Sequence, residues 1–294
     1  MKRIITSFCA LVMAVLMLGS VGQKSFAEGN APIAENLELK TYKNVSVGGL
    51  LSAFDAEGDV LKFEITTHPI KGEIELADNG SFIYTPAENK KGRDYFGYKA
   101  IDSEGNLSQE ATVIIRIEKQ KSDICYSDMK GRAEEFAAVE LAEKGIFVGE
   151  KIGSDYCFFP EKDVSKAEFL AMSMLVSEKP MMNAVMNYAV REDKLPEWFE
   201  AYVCSTAIAG ESINVNWFEA VEKYEAAAML NNQLNITEVS YISYEDSIEN
   251  DIAQACANLS ACGIINKQSE LFENLSRADA AQILCKSLQL KDNR

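Results

Sequence analysis

The sequence predicts a multidomain protein in which an all-β sandwich is followed by an all-α body made of three repeats. Three observations lead to this prediction. Short strand-like segments separated by turn residues fill the first part, helical spacing of apolar residues begins after about residue 123, and two motifs then recur three times. The chain has 294 residues, 47% of them hydrophobic, which is enough for more than one domain with its own core.

Residues 1–27 have the features of a secretory signal peptide. Lys2 and Arg3 supply the positive charge, residues 8–18 are apolar, and Ser25-Phe26-Ala27 offers a small-x-small cleavage pattern. The apolar run is shorter than the roughly 20 residues that a membrane-spanning helix needs. We therefore expect a secreted protein with no transmembrane anchor.

The chain is strongly acidic. Asp and Glu total 45 against 29 Lys and Arg, which gives a formal net charge of −16. A surface this negative repels nucleic acid and anionic membranes, so we expect neither as a partner. The single histidine, His68, also excludes a zinc site built from several histidines.

Residues 28–118 are predicted to form the β-sandwich. Four short segments there are rich in β-branched or aromatic residues, and much of their sequence alternates apolar and polar positions. Turn residues such as Asp-Asn-Gly at 78–80 separate them. The four segments are 60–65, 73–76, 81–85 and 112–117.

Several motifs of this part recur together in one family. They are Asn30-Ala31-Pro32, the acidic turns at 55–59 and 102–105, Pro69-Ile70-Lys71-Gly72, the strand ending in Pro86, and Gly92 to Tyr98. This set resembles the bacterial cadherin-like, immunoglobulin-like (Ig-like) domains of surface proteins. The resemblance implies an Ig-like sandwich.

Acidic turns in such domains often bind calcium, because Ca²⁺ takes six to eight oxygen ligands. No cofactor is required by the sequence, and calcium is the metal that these turns suit. The alternative is that Asp and Gly are simply the residues that tight turns require. The candidate ligands are Asp55, Glu57, Asp59, Asp94, Asp102 and Glu104.

Residues 119–123 are predicted to be a linker, after which the two repeated motifs begin. In the first motif an aspartate precedes a glycine by 17 residues, and in the second a basic residue is followed two positions later by an acid. Each repeat is predicted as a helix, a loop and a capped helix. The repeats are 124–180, 181–240 and 241–294. The aspartates are Asp128, Asp193 and Asp246, and the basic and acidic pairs are Lys166 with Glu168, Lys223 with Glu225 and Arg277 with Asp279.

This arrangement resembles the surface-layer homology (SLH) domain. The first repeat is the most similar, with Tyr126-x-Asp128, residues 145–149, Phe158-Phe159-Pro160 and then Lys166-Ala167-Glu168. The resemblance implies a three-repeat pseudo-trimer that binds a secondary cell-wall polysaccharide noncovalently, often one carrying pyruvate ketals. It also implies that the aspartates and the basic and acidic pairs line the binding grooves.

A ketal carboxylate needs a fixed positive partner, and the guanidinium of Arg matches a carboxylate with two parallel donors. Two of the three basic positions carry Lys instead, and Ala167 of the first repeat becomes Tyr224 in the second. We therefore expect a degenerate groove in the middle repeat. Trp217, in the loop before Lys223, is a candidate for stacking on sugar; the alternative is that this ring belongs to the core.

Six cysteines follow the signal, and all lie after the predicted linker, in the helical part of the chain. Disulfides can form outside the cytosol, but buried free thiols are an equal alternative because Cys packs as a small apolar residue. The sequence leaves both open. The six are Cys125, Cys157, Cys204, Cys256, Cys262 and Cys285.

Together these features predict a protein of the cell wall or surface layer (S-layer) of a bacterium of Gram-positive type. SLH repeats would anchor it and display a small sandwich that binds an unknown ligand or protein. The alternatives are a structural component of an S-layer, or a protein-interaction scaffold whose wall binding has decayed. Almost no residues remain for a catalytic domain, so we expect no enzymatic activity.

Overall fold

The computed structural model describes residues 30–178, 216–237, 239, 250–265 and 271–292. The predicted signal peptide, most of the predicted second repeat, Asp193, Cys204 and Asp246 lie outside the described residues. No helix of the described ranges is long and apolar enough to cross a membrane.

Alternation of apolar and polar residues produces the strands of the first part. In the last of them, Ala111, Val113, Ile115 and Ile117 are buried, while the residues between them are partly or fully exposed. The strands are β1 (Ile33–Ala34), β2 (Leu37–Tyr42), β3 (Val47–Leu50), β4 (Ala53–Phe54), β5 (Lys62–Thr67), β6 (Gly72–Leu76), β7 (Ser81–Pro86), β8 (Gly92–Ile101) and β9 (Ala111–Glu118).

These strands form two facing sheets with the orders β2-β9-β8-β5 and β3-β7-β6, and β1 pairs separately with β4. The pairing of β2 with β9 is parallel, and the other pairings are antiparallel. Phe82 of one sheet meets Phe96 of the other edge to face, with ring centroids 5.2 Å apart, and both are buried. The prediction of an N-terminal all-β sandwich is confirmed.

The second part is helical, but it is not all-α as predicted. Its described helices are α1 (Glu135–Glu143), α2 (Lys166–Ser177), α3 (Lys223–Leu234), α4 (Asn250–Ala261) and α5 (Arg277–Asp292). A hairpin of β10 (Glu150–Ile152) and β11 (Asp155–Cys157) lies between α1 and α2. Its two-residue turn, Gly153-Ser154, has a φ of 64° at Gly153, which a glycine adopts without strain.

Backbone hydrogen bonds join the segments before α2, α3 and α5 into a closed ring. Val164 N–H donates to Leu275 O (2.9 Å), Leu275 N–H donates to Val221 O (2.8 Å), and Val221 N–H donates to Val164 O (2.9 Å). A second set closes the ring in the opposite direction, from the residue after each basic residue. Ala167 N–H donates to Trp217 O, Tyr224 N–H to Leu271 O and Ala278 N–H to Pro160 O, each at 3.0 Å. The three motif-bearing segments therefore have equivalent positions in the ring.

The sandwich rests on α1, and the two parts share one continuous apolar core. Gly48 N–H donates to Ala133 O (2.9 Å), and Phe136 N–H donates to Ser46 O (3.0 Å). At residues 121 and 122, the backbone N–H groups donate to the carboxylate of Glu143. The segment predicted to be a linker is thus tied to α1, and the sandwich has a fixed orientation on the helical part.

Candidate functional site

The ring brings the three basic motif residues to three equivalent junctions. Lys166, Lys223 and Arg277 are each the first residue of a helix, namely α2, α3 and α5. Each donates its backbone N–H to a backbone carbonyl in the loop before the helix of a neighbouring segment, at 2.9 to 3.0 Å. Each junction therefore places one cation beside a loop of another segment, but the surroundings of the three cations differ.

At the first junction, Lys166 is neutralised by the acid of the neighbouring motif. Its Nζ lies 2.7 Å from Oε1 of Glu225, and only 14% of the lysine side chain is exposed. Burial by itself lowers the pKa of Lys166, but the hydrogen bond and charge of Glu225 outweigh it, so the pKa is raised. The lysine stays charged, and its charge is already compensated within the protein.

At the second junction, Lys223 lies between two acids. Its Nζ is 3.4 Å from Oδ2 of Asp279 and 3.4 Å from Oε2 of Glu273. Beside it the rings of Tyr224 and Phe272 pack with centroids 5.6 Å apart. Tyr224, which replaces Ala167 in the middle repeat, is thus part of an aromatic pair whose members adjoin Lys223 and Glu273 in the sequence.

At the third junction, Arg277 is held on three sides. Its guanidinium donates to Oε1 of Glu150 (3.2 Å from both Nη1 and Nη2) and to the carbonyl of Phe158 (3.1 Å), and it lies 5.0 Å from the ring centre of Phe147. Lys162 Nζ is also 3.2 Å from Oε1 of Glu150. Hydrogen bonds from Lys162 and Arg277 lower the pKa of Glu150.

A crevice of about 260 Å³, a volume that includes solvent at its mouth, lies beside this junction. Apolar side chains line most of it, with Arg277 and Glu168 as its charged residues. Glu168 closes a capping box: its Oε2 accepts from the backbone N–H of Ser165 (2.9 Å), and Ser165 Oγ accepts from Glu168 N–H (3.3 Å). Glu168 therefore fixes the start of α2.

Asp128 fixes the loop that contacts Arg277. Its two carboxylate oxygens accept from the backbone N–H groups of Phe158 and Phe159, at 2.7 to 3.1 Å. These bonds hold the loop that carries the Phe158 carbonyl to Arg277. The structure thus gives Asp128 a positioning role, whereas Asp193 and Asp246 lie outside the described residues.

Trp217 does not present its ring for sugar stacking. It is 8% exposed and packs with Ala167, Leu170 and Met174, so the core alternative is correct. The next residue, Phe218, is 56% exposed, and Phe272 occupies the same place five residues before Arg277. Comparing residues at fixed distance before each basic residue would have identified these two rings.

Sequence reasoning also missed Glu150, Lys162 and Phe147 around Arg277. The Gly153-Ser154 turn signal is the one local feature that could have pointed to the hairpin that carries Glu150. Nothing in the spacing shows that this hairpin meets Arg277, because the two residues are 127 positions apart and the ring brings them together.

The predicted calcium ligands do not form one site. Asp94 lies toward the opposite end of β8 from Asp102, roughly 26 Å away at the rise of a strand. It is buried and accepts from Tyr84 Oη (2.8 Å) and from the backbone N–H groups of Ile70 and Lys71. Asp94 is therefore a structural carboxylate of the sandwich.

The other acids serve the turns. Asp55 Oδ1 accepts from the backbone N–H groups of Glu57 and Asp59, and Asp102 Oδ1 accepts from those of Glu104 and Asn106. Oδ2 of Asp55 is buried without a hydrogen-bond partner. Even so, no group of three or more His, Cys, Asp or Glu residues in the described ranges could hold a metal ion. The alternative that these acids are turn residues fits the structure better than calcium.

The five cysteines within the described ranges are free thiols. Cys125 is exposed, Cys157 and Cys262 are partly buried, and Cys256 and Cys285 are buried. Burial raises the pKa of Cys256 to about 11 and that of Cys285 to about 12. These two cysteines act as small apolar residues of the helical core.

Residues 29–119 match the bacterial cadherin-like domain family, so this part of the chain is a bacterial cadherin-like domain. No match to the SLH family is found. No curated protein matches the chain.

Solved structures match about a third of the chain at low identity. They include an endo-fucoidan hydrolase of glycoside hydrolase family 107 (20% identity, 32% of this chain, 14% of that chain, TM-score 0.26) and the SrpA adhesin of Streptococcus sanguinis (16%, 33%, 65%, 0.26). The fibronectin(III)-like modules of Clostridium thermocellum CbhA also match (16%, 33%, 51%, 0.23). The chain spans less than two thirds of each, and these scores carry no argument about function.

Proposed function

We propose that the protein is exported and is held noncovalently at the surface of a bacterium of Gram-positive type. The helical ring binds a secondary cell-wall polysaccharide as three SLH-like repeats, and it carries the cadherin-like sandwich. The observation that supports this most is the closed ring itself, which places Lys166, Lys223 and Arg277 at equivalent junctions. A chance recurrence of capped helices would not join the three motifs in one cyclic order.

The chemistry of the junctions suits an acidic sugar polymer. A carboxylate on the sugar would pair with the cation, while Glu225, Asp279 and Glu273 could accept hydrogen bonds from sugar hydroxyls. Exposed aromatic rings such as Phe272 offer flat apolar surface for the faces of sugar rings. These contacts involve the folded ring, so the anchor requires all three segments together.

The fixed orientation of the sandwich gives the proposal a second part. Because the sandwich and the ring share a core, wall attachment would hold the sandwich at a set angle to the wall. The sandwich would then meet its own ligand or protein partner from that fixed position.

A protein-interaction scaffold that has lost wall binding is the second candidate. The observation in its favour is that Lys166 and Lys223 are already paired with acids of the ring, which leaves less positive charge for a ligand. The two candidates differ in one measurable property, namely binding to the wall polymer.

Cosedimentation tests the proposal. The mature protein is mixed with purified walls of its own host, and with the same walls stripped of their secondary polysaccharide. We expect pelleting with intact walls and none with stripped walls. Absence of pelleting with both would favour the scaffold, and equal pelleting with both would show that another wall component is bound.

A further inference from the structure

Two cations converge on one carboxylate oxygen at the third junction. Oε1 of Glu150 lies 3.2 Å from both Nη atoms of Arg277 and 3.2 Å from Nζ of Lys162. Charge-assisted hydrogen bonds from a guanidinium and an ammonium are the contacts by which proteins hold carboxylate groups. Arg277 and Lys162 therefore form a carboxylate site, and a side chain of the protein fills it.

The pairing seen at the other two junctions predicts a different acid at this site. At the other two junctions the basic residue pairs with the acid of the next motif, Glu225 or Asp279. The corresponding acid for Arg277 is Glu168; it caps its own helix as Glu225 does, but Arg277 pairs with Glu150 in its place. Glu150 comes from the β10–β11 hairpin, which lies outside the repeated motif.

The cation and the carboxylate differ in how firmly they are held. The Arg277 side chain is only 7% exposed and is also fixed by the Phe158 carbonyl and the Phe147 ring. Glu150 is 47% exposed and lies on a short hairpin whose first strand is entirely exposed. The positive half of the site is thus preorganised, whereas the negative half can be exchanged at small cost.

We propose that Glu150 stands in for the carboxylate of an acidic sugar, and that such a ligand binds at this junction by displacing Glu150 from Arg277 and Lys162. The inference rests on the proposed function and assigns the acidic group of the polymer to one junction of the three. Glu150 then weakens binding by competition and excludes neutral sugars, which cannot replace its charge.

The test is isothermal titration of the full mature chain with a methyl hexoside bearing a pyruvate ketal, and with the same hexoside lacking it. Glu150→Gln removes the competing charge on an exposed hairpin. Glu161→Gln is the matched control, because Glu161 is 77% exposed and pairs with Arg132 rather than Arg277. Both variants change the net charge equally.

We expect E150Q to bind the pyruvylated hexoside about three- to tenfold more tightly than the unaltered chain, and E161Q to bind like the unaltered chain. Adding Arg277→Gln to E150Q should abolish the gain, and the neutral hexoside should show none. The inference is wrong if E150Q gains nothing, if E161Q gains as much, or if no variant binds the pyruvylated hexoside.

Wall cosedimentation separates this inference from the proposed function. Pelleting with intact walls but no gain in E150Q would overturn the role of Glu150 and leave wall attachment standing. A gain in E150Q by a chain that does not pellet would support the carboxylate site and contradict wall attachment.

Discussion

At the scale of residues, burial decides what the charged groups of the ring can do. Lys166 and Lys223 are flexible point charges paired with acids of neighbouring segments. Arg277 is a planar group fixed by a carbonyl, a ring and a carboxylate. Three positions that are equivalent in the backbone therefore differ in the chemistry they offer, and the arginine is the one with a preorganised geometry.

Burial also decides the reactivity of the cysteines. Because their pKa values are raised to about 11 and about 12, Cys256 and Cys285 hold almost no thiolate at pH 8 and are shielded from reagents. We expect iodoacetamide to label exposed Cys125 in the folded protein and to label these two only after unfolding. Mass spectrometry of peptides taken at increasing times measures this. Labelling of all three at one rate would contradict the described core.

Single residues also show what the sequence could and could not predict. The capping role of Ser165 follows from local chemistry, and the structure has it. The sequence left the roles of Trp217 and Asp94 open, because side-chain type does not reveal burial. In the structure Trp217 packs inward, and the Asp94 carboxylate accepts hydrogen bonds from three donors. Tertiary contacts decide both, and no spacing encodes them.

At the scale of elements, the contact between β3 and the start of α1 couples the two parts. A Cβ on Gly48 would lie 2.7 Å from Cβ of Ala133 and 3.1 Å from its Cα and O. We expect Gly48→Ala to lower the free energy of unfolding by about 1–3 kcal/mol. The two backbones cannot move apart to make room for the new Cβ without breaking the hydrogen bond from Gly48 N–H to Ala133 O. Urea unfolding followed by circular dichroism measures the change.

The double variant with Ala133→Gly is the control for this prediction. It removes the closest atom, so it should recover part of the lost stability. A Gly48→Ala protein as stable as the unaltered chain would mean that the sandwich does not rest on α1 as described.

Elements with strong local patterns were predictable. β7 and β9 appeared as alternating or β-branched runs, and the capped helix predicted for the first repeat is α2, which begins at the basic residue Lys166. The β10–β11 hairpin was missed because its strands have three residues each and little apolar pattern. The tie between Glu143 and the predicted linker was missed because it depends on side-chain contacts across the boundary.

At the scale of the whole molecule, the ring and the sandwich form one body with a continuous core. The recurrence of the basic and acidic pairs predicted three related segments, and the cyclic hydrogen bonds join those segments. The differences among the junctions arise from what packs against each cation. For this reason the proposed wall attachment requires the assembled ring, and it must be tested on the full chain.

The most direct test of wall attachment is equilibrium binding of the purified secondary polysaccharide to the full mature chain. Lys166, Lys223 and Arg277 are changed together to Gln, and the control changes the exposed sandwich residues Lys62, Lys90 and Lys91 to Gln. The proposed function predicts saturable binding by the unaltered chain and the control, and a loss of at least about tenfold in the ring variant. No binding by the unaltered chain, or equal binding by the ring variant, would contradict it.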